Sequence, residues 1–470
     1  MEIEQVVIQQ QDRSRGFILK VSVVAALGGL LFGYDTAVIA GVIGYLQTRF
    51  ELTSAGMGWA ASAAIYGCIL GAMSSGYLSD KIGRKKMLFV TAFLFFSSSL
   101  IAAMAGSLNA FVAGRFIGGL GIGAASMLSP LYISEIAPAK SRGTLVSLYQ
   151  LAIVIGINLI YFVNLKIASL GNETWNVETG WRYMIGSGII PSVLFFFLLL
   201  FVPESPRWLT AQGRNEEALE ILSKVNGPEK AKPVWEDIKF VLNQERGNLS
   251  DLFKPGMRMA MVVGIFLALF SQITGINAII YYAPEIFKAA GFGVESALSQ
   301  TVIIGLVNTL FTFVAIYLID RLGRKALLLW GVAGMIISLI AVGLCYYFNF
   351  TEGPWLLIFI IMFIASFASS LGPIPWVIIS EIFPTKTRGV AVSIATLVLW
   401  IGVLAITQFT PILLDVIGGA FTFWLFAFNS VLLFVFTLKW IPETKGRSLE
   451  EIEQSWKIPA NESFVNNLKQ

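Results

Sequence analysis

The chain has 470 residues, of which 56% are hydrophobic and only 13% charged, about half the charged share typical of soluble domains. A soluble protein this apolar lacks the polar surface to cover itself, whereas a bilayer lets lipid face the excess. The net charge of +4 is small and no basic stretch is long, which argues against a nucleic-acid partner, and neither cysteine has metal-ligand or disulfide-framework spacing.

Residues 1–16 are polar and read as a cytoplasmic N-terminal segment. The apolar run from Phe17 past Ile43 is too long for a signal-peptide core and reads as a retained first span. From there apolar segments recur at the length that crosses hydrocarbon, roughly 17–25 residues. The predicted spans are 17–45, 56–78, 87–106, 109–132, 144–166, 183–202, 258–287, 298–319, 326–348, 354–379, 390–412 and 420–440. Backbone groups in lipid must bond within their own segment, so these spans are predicted as helices, giving an all-α membrane protein.

The span count divides in two. An N-terminal six-helix bundle is expected over 17–202, a cytoplasmic helical linker over 203–257, a C-terminal six-helix bundle over 258–440 and a cytoplasmic tail over 441–470. In the linker, Ala218, Leu219, Ile221 and Leu222 among acidic and basic residues give an amphipathic helical pattern. The loops SDKIGRKK (79–86) and IDRLGRK (319–325) are basic, while 106–110 and 349–354 carry no Lys or Arg, so the positive-inside rule puts the basic loops and both termini in the cytoplasm.

The halves repeat. SDKIGRKK at 79–86 matches IDRLGRKA at 319–326, SEIAPAKSRG at 134–143 matches SEIFPTKTRG at 380–389, and VPESPR at 202–207 resembles IPETKG at 441–446. Three motifs in one order at nearly one spacing make a parallel repeat, with a site expected at the repeat interface near mid-membrane. The paired motifs place Asp80, Arg84, Glu135, Arg142 and Glu204 in the first half, and Asp320, Arg324, Glu381, Arg388 and Glu443 in the second. Such acids and bases at helix ends are either topology signals or a cytoplasmic gate of ion pairs, made in one state and broken in the other; their duplication favours the gate.

Asp35 sits near the middle of the first span, in GGLLFGYDTAVIAG. A central Asp costs about 2.5–3.5 kcal/mol on insertion scales, so it reads either as half of a structural ion pair with the intramembrane Arg115 or as a proton-binding carboxylate whose proton affinity depends on that arginine. The chain has no histidine, which leaves carboxylates to do any proton chemistry near neutral pH. Gln272, Asn277 and Tyr281 in the seventh span, with Gln150, Asn308, Trp376 and Trp400 elsewhere, outline a candidate cavity. Amides suit sugar hydroxyls and indoles suit the C–H face of a ring, although interhelical bonds and interface belts use the same residues. Pro and Gly around Trp376, in GPIPW, predict a bent, cavity-lining segment. GGLGIG at 118–123 lies inside a span with no preceding strand and is not a nucleotide-binding turn.

On these motifs, GRKK and GRK, PESPR, PETKG and the paired E-x6-R turns, the chain resembles the sugar porters of the major facilitator superfamily over nearly its whole length, and bacterial proton-coupled arabinose, xylose and galactose symporters most. The resemblance implies a twelve-helix, two-bundle fold that alternates between outward and inward states. It implies sugar ligands at Gln150 and Ile153, at Gln272, Asn277 and Tyr281, and at Asn308, Trp376 and Trp400, with Ile157 at a place that is Gln in some members. It also implies that Asp35 is the symporters' first-helix Asp and Arg115 its partner. Animal facilitators of the family carry Asn at the Asp35 position. The chain departs from the family at Ser271, where many members have Gln, and at Leu399, where an amide is frequent. The expected partners are a monosaccharide, a proton and the lipid bilayer of a bacterial plasma membrane, with a monomeric functional unit, no enzymatic chemistry and no cofactor or metal. The rival readings are an uncoupled facilitator, an inositol-type polyol symporter and a membrane sugar sensor.

Overall fold

The computed structural model describes residues 2–138, 141–242, 257–351, 354–383 and 387–445, and within these not the side chains of residues 2–14, 143, 320, 380, 388 and 389. The linker and tail expected over 203–257 and 441–470 are thus described only to residues 242 and 445. The chain falls into two compact units, Met1–Gln244 and Glu245–Gln470.

The first unit contains α1 (Glu2–Phe50), α2 (Ser54–Ile82), α3 (Arg84–Ala103), α4 (Leu108–Ile136), α5 (Arg142–Ala168) and α6 (Glu173–Phe201). Three short helices follow, α7 (Pro206–Ala211), α8 (Asn215–Asn226) and α9 (Pro228–Leu242). The second unit contains α10 (Met257–Ile273), α11 (Ile276–Ala289), α12 (Val294–Leu322), α13 (Arg324–Tyr347), α14 (Trp355–Ala368), α15 (Ile374–Glu381), α16 (Arg388–Val416) and α17 (Gly418–Trp440). Among the described residues, eleven helical segments are long and apolar enough to cross a membrane, with α10 and α11 together making one of them.

The tenth expected span, at 354–379, is where expectation and structure differ. It is two helices, the 14-residue α14 and the 8-residue α15, parted at Ser369–Pro373. Pro373 and Pro375 donate no backbone N–H, so the helix stops and restarts with proline in its first turn. The seventh span also breaks, at Gly275 with φ +96°. A Cβ there would sit 2.5 Å from the Phe426 ring, so glycine is required both for the turn and for the approach of α17. The Asn429 amide donates to the Ile273 carbonyl at 3.0 Å and satisfies an acceptor that the break frees.

Helix starts follow ordinary capping. Thr53 Oγ1 accepts from the Gly56 N–H at 3.2 Å, and Ser107 Oγ accepts from the Ala110 N–H at 3.3 Å. In the first unit α1 packs on α5 and α2 on α4. Small residues make both seams: a Cβ on Gly33 would overlap the Ile153 carbonyl, and one on Gly67 the Phe116 carbonyl. In the second unit the matching seam joins α10 to α16. Large apolar side chains such as Met73, Phe93, Phe197, Phe313 and Trp330 point outward, as lipid-facing spans require. The amphipathic pattern read at 218–222 is visible in α8. Ala218, Ile221 and Leu222 are buried on one face of α8, and Glu216, Glu217, Glu220 and Lys224 are exposed on the other.

Candidate functional site

Asp35 and Arg115 meet inside the first unit. Asp35 is 7% exposed and Arg115 only 1%. Arg115 Nη1 donates to Asp35 Oδ1 at 2.9 Å, and Nη2 donates to the backbone carbonyl of the same residue at 2.8 Å. One guanidinium therefore holds both the side chain and the backbone of α1 at this point. Asp35 Oδ2 has no hydrogen-bond partner among the described residues. Glycines bring the helices close enough for this: Gly33 admits the α5 backbone, and a Cβ on Gly118 would lie 3.0 Å from Asp35 Oδ2. A buried pair must offset the desolvation of both ions, and removing either charge leaves the other stranded.

The amide cluster expected in the seventh span flanks the break after α10. Asn277 Nδ2 donates to Gln272 Oε1 at 2.7 Å, and Gln272 Nε2 donates to Ser271 Oγ at 3.1 Å. Both Gln272 and Asn277 keep unused hydrogen-bonding capacity, since an amide offers two donors and two lone pairs. Gly402 on α16 lets Gln272 approach, with a Cβ there 3.1 Å from Gln272 Cβ. Tyr281 on α11, Asn308 on α12 and Trp400 on α16 are buried. Trp376, on α15 just past the second break, keeps 42% of its surface exposed. In the first unit Gln150 and Ile153 are half-buried and Ile157 buried, spaced to share one face of α5.

The duplicated motifs fold into duplicated geometry. Gly83 turns at φ +102° between α2 and α3, and Gly323 at +91° between α12 and α13. Glu204 Oε1 accepts from the N–H groups of Arg84 and Lys85, both at 3.0 Å, and so caps α3. Glu443 accepts from Arg324 and Lys325 at the same 3.0 Å and caps α13. Arg84 pairs with Glu135 through two hydrogen bonds, at 3.1 and 3.2 Å, and with Asp80 at 2.8 Å. Arg324 pairs with Glu381 at 3.2 Å. Glu135 also accepts from the Ser205 hydroxyl, and Arg142 is exposed at the start of α5. The side chains of Asp320 and Arg388 lie outside those described.

Sequence reasoning missed two polar groups here. Ser205 sits inside a motif read only for its glutamate, while Ser98 faces the Asp35 site from a run of three serines that carries no positional signal.

Three comparisons bear on this arrangement. A family model described as sugar (and other) transporter matches residues 21–456. The chain is 47% identical over 447 residues to an arabinose-proton symporter of Bacillus subtilis, covering 95% of this chain and 96% of that one. It is 40% identical over 474 residues to a D-xylose-proton symporter of Escherichia coli, covering 94% and 96%. A solved structure of the E. coli xylose transporter, in a partially occluded inward-open conformation, superposes with a TM-score of 0.84 at 38% identity, over 92% of this chain and all of that one.

Proposed function

The chain belongs to the sugar (and other) transporter family, and from that premise we propose that it carries a monosaccharide, a pentose or hexose, into the cell together with a proton. One observation carries the proton half of this reading: a buried Asp35–Arg115 pair at 2.9 Å in a chain without histidine. Intramembrane charges are seldom idle, and this carboxylate is the titratable group best placed to hold a proton.

Sugar hydroxyls bond the amides of Gln272, Asn277, Asn308 and Gln150, and the C–H face of the ring lies on Trp376 and Trp400. Tyr281, Ile153 and Ile157 shape the remaining wall. A proton arriving from outside neutralises Asp35 and frees it from Arg115; the loaded protein then reorients and releases both cargoes inside. In this reading the cytoplasmic gate consists of the Arg84–Glu135 and Arg324–Glu381 pairs together with Asp80, Arg142, Glu204, Asp320, Arg388 and Glu443. The transporter sits in the plasma membrane, with its basic loops and both termini in the cytoplasm. No bond of the sugar is made or broken. One proton moved through 100 mV supplies about 2.3 kcal/mol, enough for roughly fifty-fold accumulation.

The test is uptake of labelled arabinose, xylose, galactose and glucose by proteoliposomes under an imposed pH gradient. At least one sugar should accumulate, and its addition should alkalinise the outside. Asp35→Asn, which keeps size and cannot titrate, should still exchange sugar but lose gradient-driven accumulation. Accumulation by that variant equal to the parent's sinks the assignment of the proton to Asp35.

A further inference from the structure

Buried hydroxyls in these helices usually settle on a carbonyl one turn back. Thr91 bonds Met87 O at 2.9 Å, Ser192 bonds Gly188 O at 2.7 Å and Ser338 bonds Gly334 O at 2.6 Å. Ser98 on α3 does not. It is 1% exposed, and its Oγ has no hydrogen-bond partner among the described residues. The same is true of Asp35 Oδ2, and the two atoms border one gap. That gap exists because position 118 is glycine: a Cβ there would press on Ser98 Oγ as well as on Asp35 Oδ2. Two unsatisfied polar atoms facing one small space are costly unless something joins them in another state.

The chemistry of the pair supplies that state. Arg115 is a donor only and cannot accept a hydrogen bond. When a proton from the outer solution forms an O–H bond on Asp35 Oδ2, the carboxyl becomes a donor that needs an acceptor, and this oxygen is buried in the structure. A serine hydroxyl has free lone pairs and turns between staggered wells with a small movement. We propose that Ser98 is the positioning residue for the transported proton, its Oγ accepting the hydrogen bond from protonated Asp35 across the gap at Gly118. On release the O–H bond breaks heterolytically, the proton leaves to the inner solution, and the carboxylate returns to Arg115. No electron moves. The inference rests on Asp35 being the proton carrier.

Few other groups compete. α4 presents Arg115 to Asp35, and the buried Cys68 thiol of α2 lies within electrostatic range of Asp35. On α6, Arg182 is engaged with the Ala103 carbonyl at 2.8 Å, and Tyr34, next to Asp35 on α1, is bonded to Ser187 at 2.7 Å.

Ser98→Ala removes the acceptor and makes the protonated form harder to reach. The midpoint of the pH dependence of uptake should therefore move to lower pH by about one unit, the size of one net hydrogen bond. An infrared difference spectrum between acid and neutral pH gives an independent reading. The protonated-carboxyl C=O band should be absent in Asp35→Asn, should shift to higher frequency in Ser98→Ala, and should return in Ser98→Thr together with the midpoint. If Ser98→Ala does not fold, Ser98→Cys, with its poorer acceptor, should show smaller shifts in the same directions. A band lost in Asp35→Asn but unmoved in the Ser98 variants, with an unmoved midpoint, overturns this inference and leaves the carrier in place. A band that persists in Asp35→Asn overturns both.

Discussion

Replacing Arg115 by alanine should destabilise the first unit severely, and adding Asp35→Asn should rescue it. The guanidinium is 1% exposed and makes two bonds to Asp35, at 2.9 and 2.8 Å, so Arg115→Ala strands a carboxylate that is itself 7% exposed. Breaking a buried pair in this way costs about 3–5 kcal/mol. Asp35→Asn in the same chain removes the stranded charge, so the double variant should regain on the order of 2–3 kcal/mol instead of losing more. Acid should narrow the deficit of Arg115→Ala alone, because protonating Asp35 removes the same charge. Cys68 and Cys345 are both buried, so a thiol-reactive fluorophore in detergent reads unfolding directly on heating. The melting temperatures should rank parent, double variant, then Arg115→Ala. Losses that simply add, or an Arg115→Ala protein that melts with the parent at every pH, would refute the argument that the two charges hold one another.

Gln272→Ala should weaken sugar binding by about 0.5–1.5 kcal/mol, roughly two- to ten-fold, and Trp376→Ala should weaken it further by removing ring contact; unchanged affinity in both, by calorimetry, takes them out of the site. Arg84→Ala leaves Glu135, whose side chain is 4% exposed, without its guanidinium. That variant and Glu381→Ala should make introduced cysteines on the cytoplasmic face more reactive and slow uptake while folding is kept; an unshifted labelling pattern with normal uptake counts against the gate. Burial acts to raise Glu443, but the N–H groups of Lys445, Arg324, Lys325 and Thr444 outweigh it and hold its carboxyl below the ordinary value. A lowered carboxylate stabilises above its unfolded value and loses that stabilisation as pH falls through the folded one. The stability gap between parent and Glu443→Gln should therefore hold from neutral pH down to the ordinary glutamate value and close below it, and a gap that widens in acid would contradict this.

The spans were legible because hydrocarbon imposes a length, and residues as different as Phe93 and Ala63 satisfy it alike. The GPIPW segment carried its own break, since two prolines cannot donate N–H groups, yet the boundary at Ala368 was not readable from an unbroken apolar run. Asp35 and Arg115 stood out because charge is rare at that depth, so the pair was legible before any geometry. Glu204 and Glu443 were legible as a repeat but not as caps, because a cap from more than a hundred residues away leaves no local pattern. Ser98 was not legible at all. A serine in a span bonds its own helix by default, and only the missing side chain at Gly118 marks this one as different.

The two tertiary caps bear on the order in which the chain is made. Glu204 reaches back 120 residues to the start of α3, and Glu443 reaches back 119 residues to the start of α13. Until each glutamate leaves the ribosome, the first amides of the helix it serves wait uncapped behind a glycine that offers them no side chain. Each half thus closes only on its own final turn, and the first closes while the second is still being synthesised. A nascent chain halted before Glu204 has all six spans of its first half and an uncapped α3, and one halted just beyond it carries the residue that completes that cap.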